Sequence, residues 1–259
     1  MKAHIFIITA GAVLSVTAVK AQKKFNPDSL FKEAAKTELW EPVPEKVTPG
    51  KTPSEAPSDA ILLFQGNNLN AWQKKGGGKP GWKIDASGIM NVVKGAGDIE
   101  TKQGFGSCQL HIEWKSPAAI AGNGQSRGNS GIFFMGRYEL QVLDSYNNPT
   151  YVNGQAGSMY KQYAPLVNAA RKPGEWQSYD VVFTAPRFYS DGQVQEPARI
   201  TVFHNGVLIQ NNVIIKGNTE WIGASVYKVH GNKEPLILQD HGMDGGNPVA
   251  YRNIWIRPL

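Results

Sequence analysis

The sequence predicts an all-β domain built as a sandwich of two antiparallel sheets, and three observations predict it. From Ile61 to Arg257 the chain alternates short apolar or period-two runs with Gly, Asn and Pro, the pattern of half-buried strands separated by turns. Helical periodicity is nearly absent from the same stretch, which leaves no crossover helices for a parallel sheet. Asn205-Gly206 stands between two of the runs, and that dipeptide favours the primed turn that joins neighbouring antiparallel strands.

The chain has 259 residues. Lys2 is followed by an apolar run from Ile5 to Val19, too short for a comfortable membrane span. Val19-Lys20-Ala21 puts small residues where a signal peptidase cuts. Residues 1–21 therefore read as a secretory signal peptide cleaved near Ala21, and the mature protein is expected in the periplasm or the medium. The full chain carries 27 Lys and Arg against 21 Asp and Glu. Losing Lys2 and Lys20 leaves a mature excess of four positive charges, scattered without a basic run, so no nucleic-acid partner is expected. Cys108 is the single cysteine, so no internal disulfide can staple the fold. No membrane-spanning segment is expected in the mature chain, and no protein partner can be inferred.

Residues 22–59 change character. Asp28 to Trp40 is expected to form a short helix capped by Asp28 or Ser29, with Leu30, Phe31, Ala34 and Ala35 as a weak apolar face. Pro42, Pro44, Pro49, Pro53 and Pro57 then forbid both helix and central strand, giving a tether or wrapping arm. The sandwich occupies 60–259. Its expected strands are Ile61 to Phe64, Trp82 to Asp85, Ile89 to Val93, Ser107 to Lys115, Gly131 to Met135, Tyr138 to Asp144, Trp176 to Ala185, Arg199 to Asn205, Val207 to Ile215, Leu236 to Gln239 and Tyr251 to Arg257. Two long connections interrupt them, 118–129 and 147–175. Connections of such length in a compact domain tend to be binding loops, and both flank the strand from Tyr138.

That strand carries the most suggestive polar residues. Tyr138, Leu140 and Val142 alternate with Glu139 and Gln141, which therefore share the face opposite the core, roughly 7 Å apart. That is close enough for one small ligand to touch both. Asp144 lies at an odd offset from Glu139 and needs a bulge or the strand end to reach the same side. The plain alternative is that Glu139 and Gln141 are a solvated sheet face. In Leu238-Gln-Asp-His-Gly242, Gln239 and His241 share a face, and His241 stands at the mouth of a Gly-rich loop, where an imidazole that titrates near neutrality can meet a substrate. His111 is expected on a polar sheet face, in solvent or a structural hydrogen bond.

Several chemistries lack their motifs. The segment Gly122 to Gly131 has no Gly-Lys-Ser/Thr ending and no following helix, so it is no phosphate cradle. It reads as a tight loop that sets Arg127 and Asn129 at the edge of the site, or as a purely structural turn. No His-x-x-x-His spacing marks a zinc site, and no Gly-x-Ser-x-Gly elbow supports acyl chemistry. The seven Trp and nine Tyr suit sugar faces, although Trp114 and Trp255 alternate as core residues.

From Ile61 to Leu259 the chain resembles the 3-keto-disaccharide hydrolase family, long known as a domain of unknown function. The resemblance rests on Gly-Asn-Ser-Gly-Ile at 128 to 132, Gly-Arg-Tyr-Glu-Leu-Gln-Val-Leu-Asp-Ser at 136 to 145 and Tyr-Ala-Pro-Leu-Val-Asn-Ala at 163 to 169. Pro-Gly-Glu-Trp-Gln-Ser-Tyr-Asp at 173 to 180, Phe-His-Asn-Gly-Val at 203 to 207, Leu-Gln-Asp-His-Gly at 238 to 242 and Arg-Asn-Ile-Trp-Ile-Arg-Pro at 252 to 258 complete it. It implies a concanavalin A-like jelly roll acting on glycosides already oxidised to a ketone at C3, by net hydrolysis or by elimination and hydration. Where laminarinase-like relatives of that fold carry Glu-x-Asp-x-x-Glu, this chain has Glu139-Leu-Gln-Val-Leu-Asp144. The amide of Gln141 argues against an ordinary retaining glycosidase, which needs two carboxyl groups about 5 Å apart. With a ketone at C3 the C2 proton is acidic, so one base and one donor suffice.

Glu139 or His241 is then the expected base, with Asp144 as partner or acid. Asn129, Arg137, Gln141 and Gln239 are expected to hold hydroxyls or the enolate. No cofactor motif occurs; a divalent ion held by Glu139, Asp144, Asp240 and His241 is the alternative donor. The competing functions are a lectin-like carbohydrate-binding module without chemistry and a conventional laminarinase-like β-glucanase.

Overall fold

The computed structural model describes residues 27–242 and 248–259. The expected leader and the end of the loop after His241 lie outside them. The chain parts into two compact units between Lys46 and Val47. In the first, helix α1 spans Pro27–Ala35 and buries no residue. It ends before the expected Trp40, because Thr37 Oγ1 bonds the Ala34 carbonyl and the backbone tightens into i→i+3 turns, the local competition by which Thr stops helices. No described helix is long and apolar enough to cross a membrane.

The second unit is the predicted sandwich. Its strands are β1 (Ile61–Phe64), β2 (Trp72–Lys74), β3 (Lys83–Ile84), β4 (Met90–Asn91), β5 (Ile99–Phe105), β6 (Cys108–Lys115), β7 (Ser130–Phe134) and β8 (Tyr138–Val142). They continue as β9 (Gln177–Thr184), β10 (Arg187–Phe188), β11 (Val194–Glu196), β12 (Arg199–His204), β13 (Val207–Ile214), β14 (Glu234–Leu238) and β15 (Ala250–Pro258). One sheet runs β13-β12-β9-β6-β15-β4-β3 with β1 also on β15, the other runs β2-β5-β14-β7-β8, and β10 pairs β11 apart from both. All described pairings are antiparallel. The fold is a concanavalin A-like jelly roll.

Between the sheets the alternate residues interdigitate as expected for a sandwich core. Phe134 of β7 stacks on Phe183 of β9 at 4.8 Å between ring centroids, and Tyr138 meets the same ring at 5.8 Å. Trp114 is buried in this core. Asn205 and Gly206 have φ of 52° and 80°, the double positive φ of the primed turn that joins β12 to β13.

Four strands, β2, β5, β10 and β11, lie outside the runs expected from the sequence. β5 reads Ile-Glu-Thr-Lys-Gln-Gly-Phe, and its buried Thr101 stands at an inward position. The hydroxyl of Thr101 donates to the Gln103 carbonyl and accepts the Leu236 amide N–H, so a satisfied polar group replaces the apolar residue that alternation looks for. β2 is three residues long, too short for a period to show.

Within the second unit, Ser54 and Asp59 bond to side chains of β15 in the larger sheet. The Ser54 carbonyl accepts from Asn253 Nδ2 and Trp255 Nε1, and Asp59 pairs with Arg257. His111 is buried here, stacked on Trp255 and bonded through Nδ1 to Asp180 at 2.6 Å. Burial opposes its charge, but Asp180 and Glu113 outweigh it and raise the His111 pKa to about 9. This is a structural ion network and not the solvated position that alternation allowed.

Candidate active site

The smaller sheet turns two rows of side chains away from the core. Register aligns Glu100, Ile237, Phe133 and Glu139 across β5, β14, β7 and β8. One step along, the same register aligns Gly131 with Gln141, and Gln239 N–H donates to the Gly131 carbonyl. Glu139 and Gln141 thus share the face predicted for them, but it is not a wet face. Glu139 is 5% exposed and Gln141 1%.

The two long connections account for that burial. From 118–129, Gln125 lies 3.0 Å from the Gln141 amide and donates to Thr150 Oγ1 and the Gly154 carbonyl. From 147–175, residues 157–160 bond the open edge of β8: Gln141 N–H donates to Ser158 O, Gly157 N–H to Gln141 O and Tyr160 N–H to Glu139 O. The two connections therefore cover the Glu139 face, and Tyr151 and Tyr160 come with the second. Their hydroxyls share a 2.7 Å hydrogen bond. The Lys161 ammonium sits 5.7 Å from one ring centroid and 5.9 Å from the other.

Glu139 is the electrostatic centre. Burial first, and the negative charge of Asp98 second, push its carboxyl up to about 8. In turn its charge adds to the burial that raises the Tyr151 and Tyr160 phenols. The Gln141 amide donates to Gln125 Oε1 at 3.0 Å; its other end lies 3.0 Å from Ser130 O and 3.2 Å from Glu139 Oε1. A carboxyl that titrates near neutrality, beside a neutral amide, is a proton acceptor in working range.

Gly131 makes room for it. A Cβ there would stand 2.6 Å from Glu139 Oε1 and 2.7 Å from Phe133 Cε2. Gly131→Ala is expected to displace the carboxyl and lower turnover at least about tenfold while costing about 1–3 kcal/mol of stability. Steady-state kinetics beside a thermal melt checks both, and unchanged turnover would mean that the carboxyl position is unused.

The remaining predicted residues divide. Asn129 and Gln239 are close to the Glu139 face: Asn129 Nδ2 donates to Gln125 O at 2.7 Å, and Gln239 follows β14. Their side-chain oxygens, with His241 Nδ1, are buried and without a hydrogen-bond partner among the described residues. Arg137 lies in the β7–β8 turn, partly exposed, and donates to the Met135 carbonyl. Asp144 is engaged elsewhere. Arg127 grips it through Nε and Nη2 at 3.0 and 2.5 Å, and Tyr146 N–H donates to it. No bulge turns it toward Glu139.

Glu139, Asp144, Asp240 and His241 do not make a shared ion site. Asp144 is held by Arg127, Asp240 accepts Gly97 N–H at 2.9 Å, and no three His, Cys, Asp or Glu side chains gather for a metal among the described residues. Cavities of about 680, 510 and 370 Å³ lie away from Glu139, at Trp72 and Lys102, at Phe105 and Arg187, and at Trp176 and Arg252. Unpaired buried polar atoms mark the Glu139 face, and such atoms need an explanation that concavity alone does not.

Residues 59–257 match the profile of the 3-keto-alpha-glucoside-1,2-lyase-like domain, and the chain belongs to that family. A solved candidate glycosyl hydrolase from Parabacteroides distasonis ATCC 8503 is 54% identical, with a TM-score of 0.83 over 86% of this chain and 95% of that one. Two more candidate glycosyl hydrolases from the same organism, 22% and 19% identical, share the fold at TM-scores of 0.56 and 0.53. They cover 83% and 77% of this chain and 100% and 99% of theirs. A comparison with curated proteins gave no match. Family and near relative together make this a glycoside-active enzyme.

Proposed function

We propose that the protein is exported and cleaves glycosides oxidised to a ketone at C3, by eliminating the group at C1. The observation that carries the reading is Glu139, a buried carboxyl titrating near 8 beside three unpaired buried polar atoms. An inverting or retaining glycosidase needs a second carboxyl facing the sugar. Here Gln141 takes the neighbouring place and Asp144 is held by Arg127.

A base, however, is enough for the ketone substrate. Glu139 takes the C2 proton, and the electrons of that bond build an enolate on the C3 oxygen. Collapse of the enolate forms the C1–C2 double bond and breaks the C1–O bond. His241 is assigned to the enolate oxygen, where a positioned donor is worth several kcal/mol, and Gln239 Oε1, an acceptor, to a substrate hydroxyl. Asn129 accepts from a ring hydroxyl. The Tyr151–Tyr160 pair, whose hydroxyls share a hydrogen bond, supplies the proton to the departing oxygen. Water then adds across the new double bond to complete net hydrolysis. Arg137 binds at the turn, and Asp144 positions the loops through Arg127 without touching substrate.

The test is release of the C1 group from a 3-keto-glucoside and from its unoxidised parent. Release from the ketone alone is expected. Binding without release would leave a lectin-like module, and equal cleavage of the parent would leave a β-glucanase.

A further inference from the structure

The cavity of about 680 Å³ has no part in the reaction at Glu139. It opens where the two sheets end. β2 is the last strand of the smaller sheet and β3 of the larger, and Gln73 of the one and Ile84 of the other line it. Register runs from Gln73 through Glu100, Ile237 and Phe133 to Glu139, four strand steps of about 4.8 Å, or roughly 19 Å. The cavity therefore stands at the far end of the row that carries the catalytic carboxyl, as a separate site.

Its inner wall is carbon. Trp72 and Trp82 spend their indole N–H groups on the carbonyls of Leu63 and Gly97, at 2.9 and 3.0 Å, and half-buried Leu69, Pro80 and Ile84 complete the surface. Its charges are of one sign. Lys79 and Lys102 line it, both exposed and without an ion pair among the described residues, and no acidic side chain lines it. The nearby acids are engaged elsewhere: Glu100 accepts from Gln73 Nε2 at 2.9 Å and from Gly76 N–H at 3.2 Å, and Asp98 pairs with Lys75 at 3.2 Å. Gly76, Gly77 and Gly78 hold φ of 82°, 105° and 95°, a region glycine enters at no steric cost. Lys74 N–H donates to Gly78 O at 3.0 Å, so this turn brings Lys79 back beside β2. The Asn70 amide and Gln73 Oε1 remain as polar groups at the cavity. A carbon wall, a few polar groups and two uncompensated ammoniums suit an anion that carries a polar-edged, carbon-faced body. In a glycoside-active chain, such a body is a sugar ring.

We infer that this cavity is a second, non-catalytic site for an acidic sugar residue, whose carboxylate or sulfate group pairs with Lys79 and Lys102 while its ring lies on the wall of Leu69, Pro80 and Ile84. Asn70 and Gln73 bond its hydroxyls. The site does not depend on the elimination chemistry, and its test avoids it. Isothermal titration calorimetry of the whole chain compares an oligosaccharide containing glucuronic acid, a sulfated oligosaccharide, a neutral oligosaccharide of the same length and inorganic sulfate, none of which carries a ketone. At least one acidic oligosaccharide should bind about tenfold or more tightly than the neutral one, and its binding should weaken as salt is raised. Lys79→Gln with Lys102→Gln should lose about tenfold on that probe, the scale of two exposed charge pairs. The double variant should keep the fold and keep full turnover of a 3-keto-glucoside, because both side chains are exposed and away from Glu139. Lys172→Gln, outside the lining, should change nothing. Equal binding of acidic and neutral probes, no binding of either acidic probe, or unchanged affinity in the double variant overturns the site. Inorganic sulfate binding as tightly as the oligosaccharide overturns the sugar and leaves a bare anion patch.

Discussion

Glu139→Gln is expected to abolish turnover, by about two to four orders of magnitude in kcat, the range that a positioned base supplies. The substitution keeps side-chain volume and shape, so the site should hold its form. In wild type kcat/KM should rise with pH through about 8, because only the ionised carboxyl accepts a proton. The same group gives a stability signature. Its folded pKa of about 8 lies above the ordinary 4.5, so the folded state binds this proton more tightly than the unfolded chain does. Its contribution is fully present below about pH 4.5, declines as pH rises, and is gone above about 8. At about 1.4 kcal/mol per pH unit the decline is on the order of 4 to 5 kcal/mol. Glu139→Gln removes that slope, so denaturant unfolding of the two proteins should differ most above pH 8, the variant being the more stable. Parallel slopes would place the carboxyl in water, and full turnover by the variant would pass the role of base to His241.

Asp144→Ala is expected to cost about 3–5 kcal/mol, because it leaves the Arg127 guanidinium buried and unpaired. Arg127 is 7% exposed and Asp144 5%, so water cannot replace the lost partner. The pair also organises the chain around it. Arg127 Nη2 donates to Tyr146 O, Asp144 N–H to Arg127 O, and Asn148 Nδ2 to Asp144 O and Gly124 O. Thermal unfolding should fall by roughly 10 °C for a domain of this size. Replacing both partners together, Arg127→Met with Asp144→Leu, should restore much of the loss. A different pattern, full stability with no turnover, would move Asp144 from a positioning role into the chemistry.

Strand β8 was legible because its alternation is local, and the same holds for the Asn205-Gly206 hairpin. The face of Glu139 was legible too, but its burial was not. Gln125, Tyr151 and Tyr160 reach it from connections with no periodicity, and their approach is set by bonds to the edge of β8. Asp98 was invisible as a neighbour of Glu139 because β5 itself was missed, its inward Thr101 breaking the apolar pattern. Gly131 read as a turn or strand residue, and its use in clearing space for the carboxyl appears only when register sets it beside Glu139. Asp144 shows the opposite case. Its odd offset from Glu139 already counted against a shared face, and the partner that holds it, Arg127, stood in the Gly-rich loop read as the edge of the site.

The most direct test of the account is the fate of the C2 hydrogen. A 3-keto-glycoside turned over in D2O should yield product carrying deuterium at C2, by NMR, with wild type, and Glu139→Gln should show neither exchange nor release. Release of the C1 group with the original hydrogen kept at C2 would contradict elimination, and with it the role of Glu139 as the base.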